Sequence, residues 1–200
     1  MEKDYKRSSE ILLGITRDER FKGDLTFDYI MLALGERAFG LALLFFALPS
    51  ALPVSAIPGV AAIFGLPIAI FAFQMIFARE TLWLPKRIAE RPVSHENIAK
   101  IIHTAVPYLK KLEYFLKPRW AFMTSRLMEI VNGSVIFCVA LLLMLPIPFS
   151  NFIFAFIIIM FSLGFIEKDG VFIVIGYIGV IVYVGLMSFI IMEAIGRILT

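Results

Sequence analysis

Three long stretches without a single Asp, Glu, Lys or Arg divide this chain: residues 38–78, 130–166 and 170–192. A membrane-crossing helix needs about 20 apolar residues. The first two stretches are each long enough for two passes, and the third for one. Within the first two, a small pattern repeats. Glu36, Gly40 and Leu52-Pro53 recur 93 residues later as Glu129, Gly133 and Leu145-Pro146. The pattern predicts two hydrophobic hairpins, each entered beside a carboxylate and each broken by proline.

The first hairpin is interrupted at Pro49, Pro53, Pro58 and Pro67. Proline removes a backbone donor and crowds the preceding turn, and it pushes the residue before it toward extended geometry. With the Pro58-Gly59 turn signal, this predicts arms over 38–52 and 60–78. The first arm is short for a crossing, so it is tilted, extended backward through 25–37, or re-entrant. Broken backbone at membrane depth is tolerated only where protein or water satisfies it. In the second hairpin the break is Pro146-Ile147-Pro148-Phe149-Ser150-Asn151. The run Glu167-Lys168-Asp169-Gly170 closes it, and a last helix is expected over about 171–195.

The flanking segments read as surface elements. From Ser9 to Phe21, Ile11, Leu12 and Ile15 share one helical face, which predicts a short amphipathic helix on the membrane surface. From Leu25 the chain is expected to run as helix through Glu36-Arg37 into the first block. In the polar middle, Ser94 is placed to cap a helix with apolar positions Ile98, Ile101, Ile102, Ala105, Leu109, Leu112 and Leu116. Its opposite face carries Lys100, His103, Lys110, Lys111 and Lys117. That is the pattern of a basic helix at the headgroups, bent at Pro107. Trp83, Tyr114 and Trp120 suit the same level. Four segments follow: a polar one over 1–24, a first membrane repeat over 25–78, a basic linker over 79–128, and a second repeat with the last helix over 129–200.

Composition agrees. The 200 residues are 60% hydrophobic and 18% charged, with a mean hydropathy of +0.88. A soluble domain is about half apolar and a quarter charged. Residues 79–129 hold ten Lys or Arg against five Asp or Glu, which places that loop on the cytoplasmic side. The N-terminus and Glu167-Lys168-Asp169 then lie inside, with Thr200 outside. The single cysteine, Cys138, excludes an internal disulfide, and its apolar surroundings predict a buried, inert thiol. The basic surplus gathers at a membrane surface, so nucleic acid is not implied.

The candidate chemistry is sparse. Glu36-Arg37 and Glu129 stand at equivalent positions at the mouths of the hairpins. They read as a paired site for a proton, an ion or a headgroup. The alternative is interfacial anchoring with local pairing, such as Arg126 with Glu129. Gln74, Asn132 and Asn151 are amides in or beside apolar blocks, expected to hydrogen-bond between helices. Asn151 is also placed to line a pocket with freed carbonyls. Arg119 suits bidentate phosphate contact or plain attraction to anionic lipid. Glu167 and Asp169 complete the polar candidates, and Pro49, Pro53, Pro58, Gly59, Pro67, Pro146 and Pro148 shape the breaks. His95 and His103 have no carboxylate at ligand spacing, so no metal is expected. No nucleophile elbow, phosphate loop or zinc-helix pattern is present, and neither an enzyme nor a cofactor is expected.

Glu36-Arg37-Ala38-Phe39-Gly40, Ala47-Leu48-Pro49, Leu52-Pro53, Ile57-Pro58-Gly59, Gly65-Leu66-Pro67 and Trp83-Leu84-Pro85 together resemble the ExoD family of bacterial exopolysaccharide synthesis proteins. Lys117-Pro118-Arg119, Leu145-Pro146-Ile147-Pro148-Phe149, Asn151 and Glu167-Lys168-Asp169-Gly170 extend the resemblance over about residues 30–190. It departs at Phe154, where the family pattern carries proline, so the second hairpin is expected to be straighter. The resemblance implies a multi-pass bacterial inner-membrane protein linked to exopolysaccharide production. The fold expected is all-α and polytopic, with two proline-broken hairpins related by an internal repeat, a C-terminal transmembrane helix and interfacial amphipathic helices. The function expected is that of a small transporter with a midplane site. The alternative is a non-transporting scaffold of a polysaccharide-synthesis complex. The partners expected are membrane lipids with anionic headgroups, further copies of the chain, and polysaccharide-synthesis proteins.

Overall fold

The computed structural model describes residues 7–17, 25–52, 59–79, 81–89, 92–93, 95–145 and 150–199. Pro53, Pro58, Pro146, Pro148 and Ser94 lie outside them. Apart from two two-residue strands, the regular secondary structure of the described residues is helical. Helix α1 is Ser8–Arg17. Strand β1, Leu25–Thr26, pairs antiparallel with β2, Pro92–Val93. Between and after them come α2 (Phe27–Leu34), α3 (Arg37–Ser50), α4 (Val60–Ile76), α5 (Lys86–Ala89) and α6 (His95–Phe115). A 3-10 turn over Ala121–Thr124 leads into α7 (Arg126–Met144), α8 (Ser150–Glu167) and α9 (Gly170–Leu199).

Helices α3, α4, α7 and α8 form a four-membered ring. The hairpin pairs α3–α4 and α7–α8 pack within themselves, and α3 packs on α8 while α4 packs on α7. Glycines bring the crossing pairs close. A Cβ on Gly40 would lie 2.9 Å from both the Ile166 N and the Ser162 O of α8. A Cβ on Gly133 would lie 2.8 Å from Met75 Cβ and 3.0 Å from Ala72 O of α4. These contacts join the start of α3 to the end of α8, and the start of α7 to the end of α4. All four of those helix ends therefore share one end of the ring. The end of α3, the start of α4, the end of α7 and the start of α8 stand at the other. The interior is apolar, with Phe39, Leu43, Ile68, Ile136, Leu143 and Phe161 fully buried.

Helix α9 packs on α8, where Gly176 lies over the Phe161 ring and Gly179 against Ile157. The outer faces are apolar too: Phe45, Ile63, Phe73, Leu141, Phe156 and Ile181 are all exposed. Apolar surface of this extent belongs in lipid. By length and composition α7, α8 and α9 can each cross a membrane, and α2 with α3 makes a fourth if that bent pair is one span.

Several expectations are corrected here. Helix does not run straight from residue 25 into the first block. It breaks after Leu34, and α2 and α3 meet at 114°. Gly35 makes the corner at φ 56°, ψ −132°, a conformation open to glycine and costly for other residues. Pro67 does not interrupt its arm, because α4 is continuous through it. Packing against α7 along its length outweighs the lost donor. Helix α6 continues through Pro107, as the sequence predicts. Helix α1 is not free on a membrane surface: it packs on α6, with Leu12 and Ile15 buried. Cys138 is exposed rather than buried. Positions facing lipid are as apolar as those facing the core, so an apolar run does not reveal which way a side chain points.

Candidate functional site

Nearly every charged candidate collects at the end of the ring where α3 and α7 begin and α4 and α8 end. Glu36 precedes α3 and Lys168 follows α8. Lys168 Nζ donates to Glu36 Oε2 at 2.9 Å, with both side chains partly exposed. Glu129 sits in the first turn of α7, where the helix dipole favours an acid. It is only 7% exposed, and it lies within electrostatic reach of Glu36, Lys168 and Arg126. Among the described residues no group hydrogen-bonds its carboxylate. The two carboxylates that match in the sequence thus share one neighbourhood, one paired and open, the other buried.

Beside them a second network clamps the N-terminus onto the ring. Arg37, buried at the start of α3, donates from Nη1 to Ser8 Oγ at 3.2 Å. That hydroxyl donates to the Ile166 carbonyl at 2.9 Å, and the Ser8 N–H donates to Glu167 Oε1 at 3.0 Å. Ser9 turns to α6, where its N–H and its Oγ each donate to the Glu113 carboxylate at 2.7 Å. Sequence reading missed Ser8, Ser9 and Glu113. A signal existed for the last: Glu113 falls inside the apolar stripe of α6, between Leu109 and Leu116, where an unpaired acid would be costly.

Asp169 anchors the far side. Fully buried, it accepts from Arg119 Nη2 at 2.8 Å, from Lys117 N at 3.0 Å and from Val171 N at 3.1 Å. The Gly170 N–H returns to the Arg119 carbonyl at 2.7 Å. The hydrogen bond to Asp169 raises the Arg119 guanidinium further above its already high ordinary value. Arg119 is therefore occupied by protein rather than directed wholly at phosphate, although its side chain remains 46% exposed.

The amides serve packing. Gln74 holds the Trp83 backbone from both ends, accepting from its N–H at 2.8 Å and donating to its carbonyl at 3.2 Å. Asn132 donates to the Met123 carbonyl at 2.9 Å and accepts from Tyr177 of α9 at 2.6 Å. Asn151 is the second residue of α8, at the other end of the ring, where α3 reaches Pro49. Pro49 lies 13 residues along α3 from Glu36, about 20 Å at helical rise. The described pocket-shaping residues at the proline end (Pro49, Gly59 and Asn151) and the charged group therefore occupy opposite ends. Among the described residues no three His, Cys, Asp or Glu gather as a metal site. The charged end offers two carboxylates within reach of two cations, an arrangement able to exchange a small cation or to receive an anionic group.

Comparison with known proteins adds context. The family model described as "Exopolysaccharide synthesis, ExoD" matches residues 8–189. The Protein ExoD of Rhizobium meliloti (strain 1021) is 35% identical over 179 residues, covering 87% of this chain and 73% of that protein. An uncharacterized protein of Synechocystis sp. is 35% identical over 136 residues, covering 68% of this chain and 64% of that relative. No solved structure matches this chain.

Proposed function

This chain belongs to the ExoD family of exopolysaccharide synthesis proteins, and from that premise we propose that it is a small inner-membrane permease rather than an enzyme. Its cargo is an anionic, lipid-linked saccharide or an ion exchanged for protons. The observation that carries the reading is Glu129: a carboxylate 7% exposed, held at the mouth of a membrane helix without a hydrogen-bond donor among the described residues. Ionisable groups at such positions are costly and are usually functional.

The repeat belongs to the same proposal, and several features support it. Helix α7 matches α3 at the 93-residue offset of the sequence, and α4 and α8 begin 90 residues apart, because the stretch between the Leu-Pro pair and the next helix is three residues shorter in the second copy. At these offsets Phe39, Gly40, Leu43 and Ala47 correspond to Asn132, Gly133, Ile136 and Ala140, all buried. Ala78 and Lys168 correspond as well, and both hold positive φ, 47° and 54°. The two hairpins point the same way, which supports parallel rather than inverted copies. Helix α3 has 14 residues, about 21 Å, against a hydrocarbon core of roughly 30 Å. That shortfall, with the corner at Gly35, supports a re-entering first hairpin.

A second reading, a non-transporting scaffold for polysaccharide-synthesis enzymes, is favoured by the close apolar packing between the two ends of the ring. Proteoliposomes containing the purified chain and a trapped pH-sensitive dye separate the two. Gradient-driven flux supports the permease. Absence of flux, with stable co-purification of a synthase from the native membrane, supports the scaffold.

A further inference from the structure

Helix α6 presents an outer face that the fold leaves uncovered. Its apolar stripe, Ile98, Ile102, Val106 and Leu109, is buried. Glu113, the one acid among the described side chains of α6, is turned inward and held twice by Ser9. Taking that acid off the surface leaves Lys100, His103, Lys110 and Lys111 exposed. Beside them Ile101, Tyr108 and Phe115 are 61%, 67% and 70% exposed. Spaced seven apart, these three form a line along the helix, with about 10 Å between neighbours. An apolar and aromatic ridge bordered along one side by Lys100 and Lys111, with no described acid, has the charge and shape of a surface for anionic headgroups.

The position of α6 agrees. Residue 117, two beyond the helix, is bonded to Asp169 at the charged end of the ring, and α7 begins only at Arg126. Exposed apolar side chains continue along the chain through Phe122 to Leu127 and Val131 on the outer face of α7. Along the chain, the ridge is thus followed by side chains that face lipid. We propose that the outer face of α6 docks on the anionic headgroups of the leaflet at the charged end of the ring, with Tyr108 and Phe115 at headgroup depth and Lys100 and Lys111 on phosphate.

The test uses the full chain with Cys138→Ser and a spin label at Tyr108→Cys, reconstituted into neutral phosphatidylcholine vesicles or vesicles with about 30 mol% phosphatidylglycerol. Accessibility to a water-soluble nickel chelate is the readout. The expected result is a fall of at least about three-fold in the anionic vesicles, reversed by high salt. Joint Lys100→Gln and Lys111→Gln should abolish the fall, while the two Lys→Arg changes should keep it. A label at Glu10→Cys should show no such difference. Equal accessibility at 108 in both vesicles would overturn the proposal. Shielding that appears only as copies per vesicle increase would also overturn it, in favour of a second copy. Shielding that needs an added acidic protein would do so in favour of a protein partner.

Discussion

Substituting alanine at Gly40 and at Gly133 should damage the ring by the same route and to a similar degree. The added Cβ at 40 would meet Ile166 N and Ser162 O at 2.9 Å and Ile166 Cγ1 at 3.0 Å. At 133 it would meet Met75 Cβ at 2.8 Å, Ala72 O at 3.0 Å and Ile76 N at 3.1 Å. In both cases the contacts are largely backbone atoms of one helical turn on the facing helix, which cannot rotate aside. The helices must part by about half an ångström, and a gap of that size forfeits roughly a quarter of the dispersion energy of the atoms lining it. Overpacking of this kind costs about 1–3 kcal/mol. Alanine regains about 0.5–1 kcal/mol of helix propensity, so the net loss is at most roughly 2.5 kcal/mol. Gly185 is the control: nothing lies within 4 Å of a Cβ there, and only the propensity gain remains. Reversible unfolding in mixed detergent and dodecyl sulfate micelles gives the comparison. Gly40→Ala or Gly133→Ala variants as stable as Gly185→Ala would refute the close crossings, and a large inequality between the two would argue against equivalent hairpins.

Other expectations are as definite. Ser9→Ala removes one of two short bonds to the buried Glu113 carboxylate, a loss of about 1–3 kcal/mol; trypsin cutting at Arg17 should quicken, and unchanged cutting would dismiss the clamp. Tyr177→Phe deletes the bond between α9 and Asn132, and within a membrane this should cost about 0.6 kcal/mol and at most roughly 1.7, read as a shift in the same micellar unfolding. The Arg119 pair should be insensitive to alkali across the range in which proteins remain folded. A base whose folded pKa is raised contributes stability below its unfolded pKa and loses it only as pH rises through the folded one. Both values for Arg119 lie well above neutrality, so hydrogen exchange at Lys117 and Gly170, once corrected for intrinsic rates, should show flat protection between pH 7 and 10.

Much of the architecture could be read from the pattern of charge. Arms expected over 38–52 and 60–78 are α3 and α4, and the last helix begins within a residue of its expected start. Charged residues are expelled from spans so strongly that their absence marks helix limits. Direction was harder to read. The amphipathic stripe on α1 fits a lipid surface and a protein surface equally well, and only the fold shows that it covers α6. The corner at Gly35 hides inside an otherwise helical run, because a single glycine rarely ends a helix by itself. The matched spacing of Glu36 and Glu129 was visible in the sequence, but their shared neighbourhood follows from two helix pairs that begin and end at the same end of the ring. The grouping of prolines and carboxylates into one site does not hold for the described residues, since a broken hairpin carries its turn and its mouth to opposite ends.

The most direct measurement is proton flux in proteoliposomes, with an imposed gradient and an internal pH-sensitive dye, comparing the parent chain with Glu129→Gln and Glu36→Gln. If Glu129 is the exchanging group of a permease, its substitution should slow flux by at least about ten-fold, the equivalent of roughly 1.4 kcal/mol in the barrier. Glu36→Gln, which breaks the ion pair with Lys168, should change the rate while leaving the fold intact. Flux that survives both changes, or no flux from a folded parent chain, would contradict the account.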